Sequence, residues 1–349
     1  MVVGASGNVG TSLLRALASD PSIESVLGLA RRMPRWKPDK VTWAQADVAS
    51  TDLVPHFRGA GAVVHLGWLI QPSRDPAALW ATNVVGSARV FEAAAAAGVP
   101  AVVYASSIGA YAPGPKDRAV DESWPTTGIA SSPYSVQKAY VERLLDVFER
   151  DNPGIRVVRL RPGLIFKSEA GSGVRRLFAG PLLPRRLVGS RMPVVPDLPA
   201  LRFQALHATD VAEAYRLAIT RDVRGAFNVA ADPVLDPRSL SEALGGRRVR
   251  VPAPVLRAAV AASWWLRLHP TDPGWVDLAL QCPLMDTTRA RRDLGWIPAV
   301  SATDALRDLL EGIGRGDSVD TPPLSARSGG PLRLREFLSG VGKRDGGTS

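Results

Sequence analysis

Tyr134 and Lys138 stand four residues apart in "PYSVQKAYVERLLDVFERD". On a helix both project from one face, about one turn from each other. A phenol with a pKa near 10 is a weak acid at neutral pH, and a lysine ammonium one turn away lowers it. The same ammonium can hold the hydroxyls of a ribose. Upstream, the apolar run "AVVYASS" ends in Ser106 and Ser107. Carboxyl ends of parallel strands are where α/β sheets bind ligands, and a serine hydroxyl there can hydrogen-bond a carbonyl or alcohol. Together these residue types support proton transfer at a polarised substrate oxygen.

A second group points to a phosphate-bearing ligand. "GASGNVG" spans residues 4 to 10, with Gly4, Gly7 and Gly10 spaced by three and Ser6, Asn8 and Val9 between them. Such spacing supplies a tight turn, a backbone open to a pyrophosphate, and close packing of a following helix whose amides face the phosphates. Only Met1, Val2 and Val3 precede it. A short parallel strand over residues 1–4 at the sheet centre is therefore expected, with a start codon further upstream as a corollary. An Asp or Glu for the ribose hydroxyls belongs about twenty residues on. "GLARR" instead ends in Ala30, Arg31 and Arg32, and guanidinium groups match a 2′-phosphate in charge and geometry. NADP is the expected cofactor and NAD the alternative.

Composition limits the other classes. The 349 residues are 46% hydrophobic and 22% charged, ordinary for a globular enzyme with a large core. The formal charge of +10 comes from 43 basic residues that are scattered, without the aromatic interleaving of a nucleic-acid platform. One cysteine, Cys282, excludes an internal disulfide and a cysteine-ligated zinc, and no metal is expected. The most apolar run, "VLRAAVAASWWL" from Val255, is short for a membrane span and carries Arg257. With no basic leader visible, the expectation is a cytoplasmic protein with a small-molecule substrate, no nucleic-acid or membrane partner, and a homodimer as the alternative to a monomer.

The elements that must position these groups follow from periodicity. β-rich runs alternate with helical stretches over the first two hundred residues, the pattern of a parallel α/β sheet. Strands are predicted in "IESVLGLA", "VTWAQAD", "AGAVVHLG", "AVVYASS" and "IRVVRLRPG", with helices over "NVGTSLLRALASD", about 76–97 and "SPYSVQKAYVERLLDVFERD". Residues 166–203 are irregular and rich in Gly, Pro and Arg. Beyond them, "ATDVAEAYRLAIT" reads as a helix and "GAFNVA" as a strand. From 312 to 349 the sequence is polar and punctuated, and a flexible tail is expected, with "PLRLREFL" as a candidate docked turn.

The glycine turn, the strand-end serines and the Tyr-x-x-x-Lys pair, in this order, resemble the short-chain dehydrogenase/reductase superfamily, most closely its extended NAD-dependent epimerase/dehydratase branch. The resemblance covers about residues 1–311. It is also carried by Asp47-Val48 after the third strand, "VVHLG" at 63–67, Asn83 in "NVVG", "RLRPG" at 159–163, "HATDVAEA" at 207–214 and "ARRDLGW" near 290. It implies a Rossmann-type doubly wound parallel sheet over residues 1–165, with 204–231 returning to it. A smaller substrate-binding region would comprise 166–203 and 232–311. The implied catalytic set is Tyr134 as acid/base, Lys138 as its partner and Ser107 as the polarising hydroxyl, since Ser107 and Tyr111 keep the family's Ser-x-x-x-Tyr spacing. The implied cofactor contacts are Gly4, Ser6, Gly7, Asn8, Val9, Gly10, Arg31, Arg32, Asp47, Val48, Leu66, Gly67, Asn83, Tyr134, Lys138, Pro162 and Gly163. Asn83 and His207 read as structural rather than catalytic.

The sequence departs from the branch at two points. No asparagine-and-arginine set for a sugar-nucleotide pyrophosphate is evident over 166–203, and Arg202 lies five residues before His207 instead of four. "GWLIQP" places Trp68, Leu69 and Ile70 beside the expected nicotinamide, an apolar wall suited to a less polar carbonyl compound. The leading expectation is an NAD(P)-dependent oxidoreductase acting on a carbonyl/alcohol pair. The alternatives are a sugar epimerase/dehydratase that recycles its cofactor and a catalytically idle dinucleotide sensor.

Overall fold

The computed structural model describes residues 1–70, 74–174 and 194–324. The chain opens with β1 (Val2–Val3), α1 (Asn8–Ser19), β2 (Val26–Ala30), β3 (Val41–Gln45), α2 (Val54–Phe57) and β4 (Val63–His65). It continues through α3 (Pro76–Trp80), a π turn (Ala81–Val85), α4 (Gly86–Ala96), β5 (Ala101–Ala105), β6 (Ala119–Val120), α5 (Pro133–Asp151) and β7 (Arg156–Pro162). The later part holds β8 (Leu164–Phe166), α6 (Gly171–Val174), β9 (Val194–Asp197), β10 (Phe203–His207), α7 (Ala208–Thr220), β11 (Gly225–Val229), β12 (Ala231–Leu235) and α8 (Pro237–Leu244). β13 (Arg247–Arg250), α9 (Ala253–Trp265), α10 (Gly274–Gln281), β14 (Leu284–Met285), α11 (Thr288–Arg292) and α12 (Ala302–Arg315) complete it.

Seven strands form one sheet in the order β3-β2-β1-β4-β5-β7-β11, every neighbouring pair parallel. This is the doubly wound α/β Rossmann arrangement expected from the alternating pattern. β1 has two residues and lies at the centre, pairing with β2 through Val2↔Gly28 and with β4 through Val2↔Val64. Its shortness is tolerated because it is hydrogen-bonded on both sides and both valines are buried.

Alternation along the strands feeds two cores. Val2, Val64, Val103 and Val158 point to the layer that contains Leu13, Leu14, Val211 and Tyr215. Val3, Val63, Val102 and Val157 point to the other, with Phe57, Phe91, Leu145 and Phe148. Parallel central strands are covered on both faces, which explains why they read as continuous apolar runs.

Smaller sheets stand beside the main one: β12-β10-β8, β13-β9 and β14-β6. A helix runs on to Arg315, past the residue where the flexible tail was expected to begin. Val319, Thr321 and Leu324 beyond it are buried, packing near Ala170 and Trp36. The apolar residues among the polar ones of 316–324 find a groove that periodicity does not reveal. Residues 175–193, much of the irregular segment, and 325–349, including "PLRLREFL", lie outside the described residues, as does Gln71-Pro72 of the apolar wall.

Candidate active site

The glycine turn joins the end of β1 to the start of α1. Gly4 has φ +78, and a Cβ on it would come 2.7 Å from Gly67 N, so turn and β4 exit approach too closely for any side chain. A Cβ at Gly10 would lie 2.4 Å from Ala5 O, which seats α1 directly on the turn. At Gly7 the nearest atom is 3.4 Å away, an ordinary contact, and no other atom of the described residues crowds the space beside it. Gly7 caps α1 without a side-chain bond, and no acidic residue stands in the first turn. The helix N-terminus is thereby left to an outside anion, and the turn fits a dinucleotide pyrophosphate. Ser6 is buried in the turn and Val9 packs against the core. Asn8 donates from Nδ2 to Ile165 O (3.3 Å) while its Oδ1 is buried without a partner.

One residue at this turn escapes sequence reasoning. Lys167, buried at the exit of β8, donates from Nζ to Asn8 O (2.9 Å) and to Thr11 Oγ1 (2.7 Å). Burial pulls its ammonium down to about 8, against the opposing charge of Glu169. It pins the first turn of α1 to the smaller sheet, a contact spanning most of the first half of the chain.

Arg31 and Arg32 follow β2 on the exposed rim, with Gln45 Nε2 donating to Arg31 O (3.1 Å). Asp47 folds into a local turn, its Oδ1 accepting from Ala49 N (3.0 Å). Val48 is buried, and its carbonyl accepts from Arg89 Nε (3.0 Å). At the other end of the edge Leu66 N donates to Val3 O (2.9 Å), Gly67 follows, and Gly163 after Pro162 donates to Val229 O (3.0 Å).

Asn83, an expected cofactor contact, is bonded within the chain. Its Oδ1 accepts from Leu69 N (2.7 Å), and Nδ2 donates to Leu69 O and to Gln137 Oε1, both at 2.8 Å. Both amide protons are committed, so Asn83 clamps the 68–70 loop. The π turn that interrupts the long helix aims it there. His207 caps α7 and contacts Thr209 and Asp308.

The strand-end serines divide their work. Ser106 Oγ donates to buried Glu142 Oε1 (2.5 Å). Ser107 Oγ accepts from Gly109 N (3.0 Å), and both it and the Tyr134 ring lie against Gly109. Tyr134 and Lys138 lie on α5, which Ser132 and Pro133 start. Burial pushes the Tyr134 phenol up to about 12, against a lowering by the Ser107 hydroxyl. Burial also holds Lys138 well below its ordinary value, against the charge of Glu142. Its Nζ donates to Ala105 O (2.6 Å) and sits 3.5 Å from the Trp68 ring centroid, but 5.9 Å from that of Tyr134. Desolvation therefore dominates both groups in this geometry, and the ammonium engages Trp68 rather than the phenol.

Two indoles flank Tyr134. Trp68 meets it edge to face with centroids 5.9 Å apart, and Trp275 lies 4.9 Å away at 35°. Trp275 comes from α10, whose start packs so tightly on the turn before α5 that a Cβ at Gly274 would sit 2.4 Å from Ser131 O. No spacing in the sequence links Trp275 to Tyr134. Glu142 beneath them is held by Arg161 through Nε and Nη2 (2.9 and 3.0 Å) and by Arg159 (3.1 Å). Its place four residues after Lys138 was the available signal. Arg202, the residue weighed against a sugar-nucleotide anchor, donates to Lys116 O (2.5 Å).

A parallel sheet with a bare helix N-terminus at its carboxyl edge defines a dinucleotide-binding enzyme of the Rossmann class. The chain belongs to the NAD dependent epimerase/dehydratase family, whose model matches residues 1–230. A UDP-glucose 4-epimerase of Mycolicibacterium smegmatis is 27% identical, covering 89% of this chain and 97% of that protein. An uncharacterised protein of Mycobacterium tuberculosis is 29% identical over 88% of this chain, which spans only 29% of that relative's length. The Thermus thermophilus UDP-glucose 4-epimerase, solved with NAD, superposes with a TM-score of 0.67 at 22% identity, covering 90% of this chain and 98% of that one.

Proposed function

We propose that the chain catalyses hydride transfer at one carbinol carbon of a small molecule, in the epimerase/dehydratase manner, with its dinucleotide regenerated each turnover. The observation that carries this is that Ser107 Oγ and the Tyr134 ring meet at Gly109, with Lys138 one turn on from Tyr134, at the carboxyl edge of the sheet. The relationship to UDP-glucose 4-epimerases supports the regenerating cycle over net reduction. Bound at the edge, the nicotinamide would take and return the hydride. Tyr134 accepts the alcohol proton as the carbonyl forms and returns it as the alcohol is remade, while Ser107 hydrogen-bonds the same oxygen. Lys138 is assigned to the ribose hydroxyls, which requires its ammonium to leave the face of Trp68. Trp68 and Trp275 line the space beside Tyr134 with apolar surface and favour a substrate less polar than a free sugar.

Lys138→Met is expected to weaken cofactor binding and to move the activity profile to higher pH, because one change removes the ribose contact and the nearby cation. Titration calorimetry and a pH–rate profile check it; normal affinity with an unchanged profile counts against the role.

Net reduction with NADPH is the second reading, favoured by Arg31 and Arg32 at the place of the ribose-binding acid. A charged hydrogen bond of roughly 1.5–3 kcal/mol corresponds to a preference for NADP of about ten- to a hundredfold. Ala30→Asp with Arg31→Ser should reverse it, since a carboxylate accepts ribose hydroxyls and repels phosphate. Dissociation constants for both dinucleotides on both proteins decide. Equal affinities in the parent chain would reduce the arginines to surface charges. The two functional readings separate on purified protein: retained dinucleotide and epimerisation without added cofactor support the first, and stoichiometric NADPH oxidation against a carbonyl panel supports the second.

A further inference from the structure

We propose that the outer face of α9 is a docking surface for an anionic lipid bilayer. None of the thirteen residues of this helix is buried. At helical spacing Val255, Ala258, Ala259, Ala262, Trp265 and Leu266 fall on one side, and all six are exposed. Trp265 is 76% exposed, Val255 and Leu266 57% each, and Leu268 just beyond the helix 45%. No polar residue interrupts this stripe. A surface helix ordinarily shows the reverse, with its apolar face inward and its polar face to water.

The opposite face is the one that holds the helix in place. Arg257 donates from Nε to Asp277 Oδ1 (2.8 Å) on α10, and Arg74 lies over the Trp264 ring, 4.3 Å from its centroid. The apolar stripe is thus presented outward by specific contacts behind it. Through α10 it is one helix away from Trp275 and Tyr134.

Size and charge select the occupant. A helix of thirteen residues is about 20 Å long and one apolar side about 10 Å wide, giving roughly 200 Å². A stable protein partner needs about 800 Å² per side, so the stripe falls well short of a dimer face. Basic residues precede it in the chain: β13, just before the helix, exposes Arg247, Arg250 and Arg248, the last of which also pairs with Asp197. An anionic leaflet accepts both features at once, the arginines at headgroups and Trp265, Leu266 and Leu268 at the acyl boundary. The helix is too short to span, and no helix among the described residues is long and apolar enough to cross a membrane. Contact is therefore interfacial, beyond anything the hydride-transfer reading requires.

The test is co-sedimentation of the full chain with phosphatidylglycerol/phosphatidylcholine vesicles and with phosphatidylcholine alone. Binding to the anionic vesicles is expected, weaker on neutral ones and in high salt. Ala262→Glu with Leu266→Glu should lower the partition by about tenfold or more, with an unchanged thermal midpoint because both positions are exposed. Arg247→Glu with Arg250→Glu, on the exposed strand, should also lower it by roughly tenfold or more. Absence of binding to anionic vesicles, or binding indifferent to both pairs, overturns the proposal. So does a sedimentation-velocity result in which the Ala262/Leu266 pair turns a dimer into a monomer, since a second copy would then cover the stripe.

Discussion

Tyr134→Phe is expected to lower turnover by about 10²–10⁴-fold while leaving the fold and cofactor affinity close to those of the parent chain. The change deletes one hydroxyl and little volume. The Tyr134 ring keeps its place between Trp68 and Trp275, because those contacts are made by carbon faces and edges. Ser107 Oγ keeps its bond from Gly109 N. Because burial raises the phenol to about 12, Tyr134 starts protonated at neutral pH and must lose that proton before it can take the alcohol proton that opens the cycle. The oxidation half-cycle needs the phenolate, so that direction should gain rate as pH rises. A Phe variant with more than a third of the parent activity would remove Tyr134 from the mechanism, whichever substrate is used.

Glu142→Leu is expected to cost about 3–5 kcal/mol of folding stability, the usual consequence of leaving a buried charge unpaired. Glu142 is fully buried and receives Arg161 through two bonds, Arg159 through one and the Ser106 hydroxyl. Leucine fills much of the volume but strands two guanidinium groups that are themselves buried. Against a total of about 5–15 kcal/mol for a typical domain, this is a large fraction. Denaturant titration measures it, and a loss under about 1 kcal/mol would mean that Asp146 and Glu149, which also touch Arg159, suffice. The pH dependence has a definite sign. Burial alone would raise the Glu142 carboxyl, but hydrogen bonding and charge from Arg161, with Arg159 and Ser106, bring it down to about 2. A folded-state value below the unfolded one stabilises at neutral pH, and that share is lost as pH falls from about 4 through 2. The Leu variant should lack that part of the acid transition.

Ser106 is tied to the same network. Both serines end the same apolar strand, and residue type does not separate them. Ser107 keeps the family's spacing to Tyr111, but Tyr111 OH bonds to Asn228 Oδ1 (2.6 Å) and Arg161 (3.0 Å). What separates the serines physically is Glu142, which takes the Ser106 hydroxyl and leaves Ser107 toward Tyr134.

By itself, the sequence determined what depends on neighbours within a few turns of chain. Apolar runs of β-branched residues specified buried parallel strands, "GASGNVG" specified a turn that only small residues can make, and Ser132-Pro133 specified the start of the helix that carries Tyr134 and Lys138. Each is set by backbone sterics or by hydrogen bonds a few residues long, so local reading recovers it. Tertiary structure alone decided the rest. It placed Trp275 against Tyr134 across more than a hundred residues, turned Asn83 into a clamp on Leu69, set the Lys138 ammonium over Trp68, and packed Val319 and Leu324 where a loose tail was expected. These outcomes depend on which surfaces meet when distant segments pack, and on desolvation at that contact, and no local pattern encodes either.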